Sequence, residues 1–146
     1  MYRAPELDID GFGVAAFNQQ TLEHLSVNSV HHQTRLGLGA GVNFFFLRMV
    51  GIGAQAYSFD TRHSFIDNAS GDLTVRFPIL DTGFAPYVFG GGGHRWDREE
   101  TNFAEAGGGF EFRFHPNIGV FIDGRYVLSH RTDDFGLGRA GFRFAF

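Results

Sequence analysis

The sequence predicts an all-β chain folded as an eight-stranded, antiparallel, up-and-down transmembrane β-barrel, a single domain over residues 1–146. Three observations carry this reading. Apolar and polar residues alternate with a period of two from Gln33 to the end, and no helical period survives. The connections between the alternating runs are by turns long and short. The composition is skewed to 21 Gly and 19 Phe in 146 residues, and both excesses need a structural reason.

The first run, Ile9 to Phe17, is the weakest. From Gln33 the alternation is plain: Leu36, Leu38, Ala40, Val42 and Phe44 stand against Arg35, Gly37, Gly39, Gly41 and Asn43. Val50, Ile52, Ala54 and Ala56 then oppose Gly51, Gly53, Gln55 and Tyr57, and Ala69 to Phe77 oppose Asn68 to Arg76 until Pro78 ends the run. In APYVFGGGG, Tyr87 and Phe89 share a face, and the glycines argue for tight curvature. Ala104 to Phe114 oppose Glu105, Gly107, Gly109, Glu111 and Arg113; HPN at 115–117 turns the chain; Val120 to Leu128 oppose Phe121, Asp123, Arg125 and Val127. In the closing GLGRAGFRFAF, Ala140, Phe142, Phe144 and Phe146 oppose Arg139, Gly141, Arg143 and Ala145.

The connections run Asn18 to His32, Phe45 to Met49, Phe59 to Asp67, Pro78 to Gly83, His94 to Thr101, Phe114 to Ile118 and Ser129 to Asp134. The longer ones all fall at one end of the sheet, which is the asymmetry of a membrane barrel with short turns on one side and long loops on the other. The first holds the only plausible helical turn.

Composition excludes several classes. A net charge of −4 leaves no broad basic surface, so nucleic acid is not an expected partner. Cysteine is absent, which removes disulfides and thiolate metal sites. Val42 to Ala56, the longest apolar stretch, is interrupted by Asn43 and Arg48 and is too short for a membrane helix of about 20 residues. MYRAPELDID has no apolar signal region, so a removed signal peptide is expected.

The assignment of faces separates a membrane barrel from a soluble, lipocalin-like one. With the apolar face inward, the many glycines beside the charges would lie on a solvent surface, where they contribute only an entropic cost. With the polar face inward, glycine makes room in a lumen only wide enough to be filled by side chains. The phenylalanines then gather at strand ends as interfacial girdles. The interior becomes an ion-pair network of Arg35, Arg76, Arg113, Arg125, Arg139 and Arg143 against Asp72, Glu105, Glu111 and Asp123, near charge balance. A packed, closing plug is the first expectation, and a narrow channel built from the same residue types is the alternative.

On these residues the chain resembles the small outer-membrane β-barrels of the OmpA-like and OmpX-like family. The likeness is broad over 33–146 and strongest in FIDGRYVLSHRTDDFGLGRAGFRFAF, where Gly141, Phe142, Phe144 and Phe146 resemble the terminal signal read by the barrel-assembly machinery. The resemblance implies a bacterial outer-membrane location and lipid or lipopolysaccharide as surroundings. It also implies a structural or interaction role through external loops, with a possible protein partner there. It implies neither enzymatic activity nor a cofactor. A lipid A deacylase barrel is a weaker resemblance: its His and Ser two apart find here only His130-Arg131-Thr132, with Thr for Ser and no Glu following. Six histidines (His24, His31, His32, His63, His94, His130) fall in the long connections without metal-type spacing, so no metal is expected. Trp96 within the charged run Arg95 to Glu100 reads as an interfacial anchor at a hairpin tip.

Overall fold

The computed structural model describes residues 2–18, 35–59, 66, 68–80, 82–96, 100–129 and 134–146. Eight antiparallel strands follow one another in chain order: β1 (Glu6–Asn18), β2 (Arg35–Phe45), β3 (Val50–Ser58), β4 (Asn68–Arg76), β5 (Phe84–Arg95), β6 (Thr101–His115), β7 (Ile118–Ser129) and β8 (Phe135–Ala145). Each pairs with its neighbour, and β8 returns to β1 to close the barrel. Closure removes the two open edges that a flat sheet would leave with unpaired backbone groups. At the seam Ile9 faces Phe144 and Gly11 faces Phe142. Leu7 and Phe146 exchange both backbone hydrogen bonds, at 3.2 and 2.8 Å. The last strand is therefore the closing seam, with Phe142, Phe144 and Phe146 on the outer wall. No helix among the described residues is long and apolar enough to cross a membrane, a fact without bearing on strands.

β1 begins three residues earlier than the alternation suggested, at Glu6. Glu6, Asp8 and Asp10 occupy the inward face of β1 in alternation with outward Leu7 and Ile9, but the same inward face continues with apolar Phe12 and Val14, so the contrast between the two faces fades along the strand. The first long connection, the proposed helical turn and five of the six loop histidines lie outside the described residues. His94 lies inside β5, with its ring edge-on to Trp96 at 5.1 Å and Nδ1 2.8 Å from Asn102 Oδ1.

The outer wall is apolar around the whole circumference, with Ile9, Val42, Ile52, Leu73, Val88, Phe110, Ile122 and Phe142 exposed on it. The aromatic residues divide between wall and lumen. Among the described residues ten phenylalanines, including Phe17, Phe44, Phe110, Phe112, Phe114 and Phe144, are exposed. Phe12, Phe45, Phe89, Phe103 and Phe121 are buried inside with Tyr57 and Tyr87. Girdles at the strand ends therefore explain only part of the phenylalanine excess; the rest fills the lumen.

The glycines also divide. A Cβ on inward-facing Gly39 would run into the Phe12 ring, one on Gly93 would lie 2.6 Å from Phe103, and one on Gly107 2.7 Å from Phe89. Inward glycines thus make room chiefly for aromatic rings and for neighbouring backbone, rather than for Arg and Glu as the sequence suggested. Outward Gly11 and Gly124 have nothing within 4 Å of that position. Gly107→Ala should destabilise the barrel by about 1–3 kcal/mol through overpacking, because the methyl also meets the Gly124 carbonyl and lies 2.8 Å from Arg125 Cα. Gly124→Ala should be neutral, or stabilising by about 0.4–1 kcal/mol through the unfolded chain. Urea titrations of both variants in lipid vesicles check the contrast, and equal effects would sink it.

Candidate functional site: the filled lumen

Alternation sends every second residue of all eight strands into the lumen, so the charged side chains converge from opposite walls. They form two tiers. Nearest the short turns, Arg113 on β6 lies between Glu6, Glu111 and Asp8. It donates from both terminal nitrogens to Glu6 at 2.8 and 2.9 Å, and from Nε to Glu111 at 2.5 Å. Arg143 on β8 grips Asp10 with two bonds of 2.7 Å and reaches Glu111 at 2.6 Å. Arg76 on β4 pairs with Glu6 at 2.7 Å. Its guanidinium is sandwiched between the rings of Phe45 (3.7 Å) and Tyr2 (4.8 Å). Asp8 is held more loosely, 3.4 Å from Arg113, 3.6 Å from Arg76 and 3.8 Å from Arg143.

Tyr2 closes this tier from below. Its ring also stacks under Arg113 at 4.4 Å, and its hydroxyl donates to the Gly83 carbonyl at 2.7 Å. Burial pushes the phenol pKa up and keeps it a neutral donor. Gly83 sits at φ 69°, a conformation glycine reaches without strain, so the β4–β5 turn can point its carbonyl at the hydroxyl.

At mid-height Arg139 holds Asp123 with two bonds of 2.6 and 2.9 Å, and Tyr87 donates to the same carboxylate at 2.7 Å. Arg125 pairs with Glu105 at 2.8 Å and packs on Phe89 at 4.4 Å. Gln55 on β3 joins the two pairs across the lumen. Its amide donates to Ser70 (2.9 Å), Asp72 (2.6 Å) and Glu105 (3.2 Å), while its oxygen accepts from Arg139. Toward the long connections the interior turns apolar with Val14, Tyr57, Phe103, Val127 and Leu137, a cluster that Phe12 and Phe121 extend down between the charged tiers.

The structure brings Arg76, Arg113, Arg125, Arg139 and Arg143 together with Asp72, Glu105, Glu111 and Asp123. Arg35 stands apart from them: it is exposed, with its guanidinium over the Phe59 ring at 5.3 Å, because it opens β2 at the long-connection end above the tiers. The sequence reading missed Glu6, Asp8 and Asp10, and also Gln55 as the bridge. The described network therefore sets five arginines against seven carboxylates, the reverse of the expected excess of six over four. The missed signal was E-x-D-x-D at 6–10, acids at a period of two just before the apolar alternation. Such buried charges are tolerated only when paired and hydrogen-bonded, which ties most of these side chains into one packed body.

Among the described residues no group of three or more His, Asp or Glu is arranged to hold a metal. His130 and Thr132, weighed above as remnants of a deacylase site, lie outside the described residues. Chemically the lumen presents paired charges and packed rings.

No family model matches the chain, and no curated protein matches it. Solved structures do. The N-terminal β-barrel domain of Pseudomonas aeruginosa OprF is similar over 98% of both chains at 16% identity, with a TM-score of 0.74. Neisserial surface protein A is similar over 95% of both chains at 10% identity and a TM-score of 0.60. Ail, the attachment invasion locus protein of Yersinia pestis, is similar over 99% of this chain and 100% of its own at 15% identity and a TM-score of 0.56. At these identities the likeness speaks for architecture. With the closed topology, the apolar outer wall and the ion-paired lumen, it identifies the chain's fold as that of the small eight-stranded outer-membrane β-barrels.

Proposed function

We propose that the chain is an integral protein of a bacterial outer membrane, with a structural or interaction role exercised through its long connections, a lumen closed to ions and no catalytic activity. The observation that carries the reading is the pairing of an apolar wall with a lumen in which each of the five buried arginines is engaged by carboxylates. A wall exposing Ile52, Leu73, Ile122 and Phe142 suits hydrocarbon and is a liability in water. Two tiers of ion pairs capped by Tyr2 on one side and by packed rings on the other leave the long connections as the surface free to vary. Outer-membrane lipid and lipopolysaccharide are the surroundings on this reading. The barrel-assembly machinery is the partner for Gly141, Phe142, Phe144 and Phe146 during insertion, and a protein partner would meet the long connections.

A narrow channel is the competing reading, since a lumen of charged residues is also what a pore uses. Planar-bilayer recordings of the purified chain separate them. The expected trace is flat, without stable unitary steps; reproducible steps of one conductance would overturn the closed lumen.

A further inference from the structure

The turns at the short end are unequal. The β2–β3 turn and the β4–β5 turn are neighbours, and both expose apolar side chains: Phe46, Leu47 and Met49 on one, Ile79 and Leu80 on the other. Leu47 and Leu80 are 56% and 70% exposed, among the most open apolar residues of the described chain. Neither turn is free to fold these groups away. Leu47 and Val50 exchange backbone hydrogen bonds at 3.1 and 3.2 Å, Arg76 N donates to the Met49 carbonyl at 2.8 Å, and Ile79 N donates to Phe84 O at 2.9 Å. Arg48 stands exposed in the middle of the first turn. The third turn, His115-Pro116-Asn117 between β6 and β7, is polar apart from its exposed proline.

Strand length makes the same division. β3 and β4 have nine residues each, whereas β6 has 15 and β7 has 12. At about 3.3 Å per residue and a tilt near 45°, nine residues rise roughly 21 Å, short of the apolar band of about 25 Å that such barrels carry. On this side the wall of Val50, Ile52 and Val75 leads into the turns, where Phe46, Leu47, Met49, Ile79 and Leu80 supply the missing apolar height in turn sequences that also carry Arg48 and Asp81.

We infer that the β2–β3 and β4–β5 turns are seated in the bilayer, their apolar side chains among the acyl chains of the phospholipid leaflet at the short-turn end and Arg48 on an anionic lipid phosphate. The β6–β7 turn stands in water, so the barrel sits one-sided in its membrane. The inference rests on the membrane-spanning reading proposed above.

Because the chain has no cysteine, single-cysteine variants Leu47→Cys, Leu80→Cys, Pro116→Cys and Ile52→Cys can each carry a nitroxide label in the full chain. The labels are read in phosphatidylcholine vesicles for accessibility to oxygen against a water-soluble nickel chelate. Labels at 47 and 80 should show an oxygen-to-nickel ratio several-fold above that at 116, with 52 lipid-buried as the mid-wall reference. If 52 is lipid-buried but 47 and 80 match a water-exposed 116, the seating is overturned while the membrane reading stands. If 116 is as buried as 47 and 80, the one-sided placement is overturned. A nickel-accessible label at 52 overturns the membrane reading itself. Adding phosphatidylglycerol should raise the ratio at 47 when Arg48 is present and leave it unchanged with Arg48→Gln; an equal response in both overturns the phosphate contact.

Discussion

Arg113→Met is expected to lower the stability of the barrel in lipid vesicles by about 3–5 kcal/mol, the cost of breaking a buried ion pair by removing one partner. Arg113 is buried and shares its guanidinium among Glu6, Glu111 and Asp8. Methionine fills much of the same volume, so the loss reports charge rather than a cavity. Two of the three acids keep a close partner: Glu6 retains Arg76 at 2.7 Å and Glu111 retains Arg143 at 2.6 Å. Asp8 retains only contacts of 3.6 and 3.8 Å, and it becomes the least compensated charge. Adding Glu6→Gln to Arg113→Met removes one surplus negative charge and keeps a hydrogen-bonding group near Arg76. The double variant should therefore lose less than the sum of the two single losses, the non-additivity of residues sharing one network. Urea unfolding followed by circular dichroism measures all three. A single-variant loss below about 1 kcal/mol, the scale of an exposed ion pair, would mean that water reaches this tier.

Most of the architecture was legible because a strand in a wall with two unlike faces must alternate. The runs ending at Phe44, Arg76 and Phe114 could be counted, and the closing run with Phe142, Phe144 and Phe146 outward pairs with β1 as the pattern required. The lumen was less legible. The alternation separates inward from outward but does not say which inward side chains meet, since partners such as Arg113 and Glu6 lie 107 residues apart in sequence. That is why Gln55, a neutral residue among charges, passed unnoticed although it touches β4, β6 and β8. Arg35 misled for the opposite reason. It has the parity of the lumen face but lies at the rim, beyond the reach of the tiers, and parity carries no information about height.

Parity placed Phe121 correctly, on the face of Asp123 and Arg125; what misled was explaining the phenylalanine excess by girdles alone. Phe12, Phe89 and Phe121 face inward with the charges because arginine stacks on rings as well as pairing with acids. Arg139 lies 4.6 Å from the Phe12 ring centre, and Arg143 lies 5.0 Å from Phe121. Inward glycines leave room for several of these rings: Gly39 for Phe12, Gly93 for Phe103 and Gly107 for Phe89.

The central claim is the assignment of the two faces, and two neighbouring residues of β7 state it in miniature: Ile122 points out between Phe110 and Ala140, while Asp123 points in to Arg139. Ile122→Arg tests it most directly. On a wall in hydrocarbon, arginine near the midplane costs about 2–4 kcal/mol, falling to about 0–1 near the interface. Unfolding free energies in vesicles should therefore show a loss of that larger size for Ile122→Arg and a much smaller one for Leu128→Arg, near the long-connection end of the same strand. Equal and small losses at the two positions would contradict the account, because the outer wall would then be facing water.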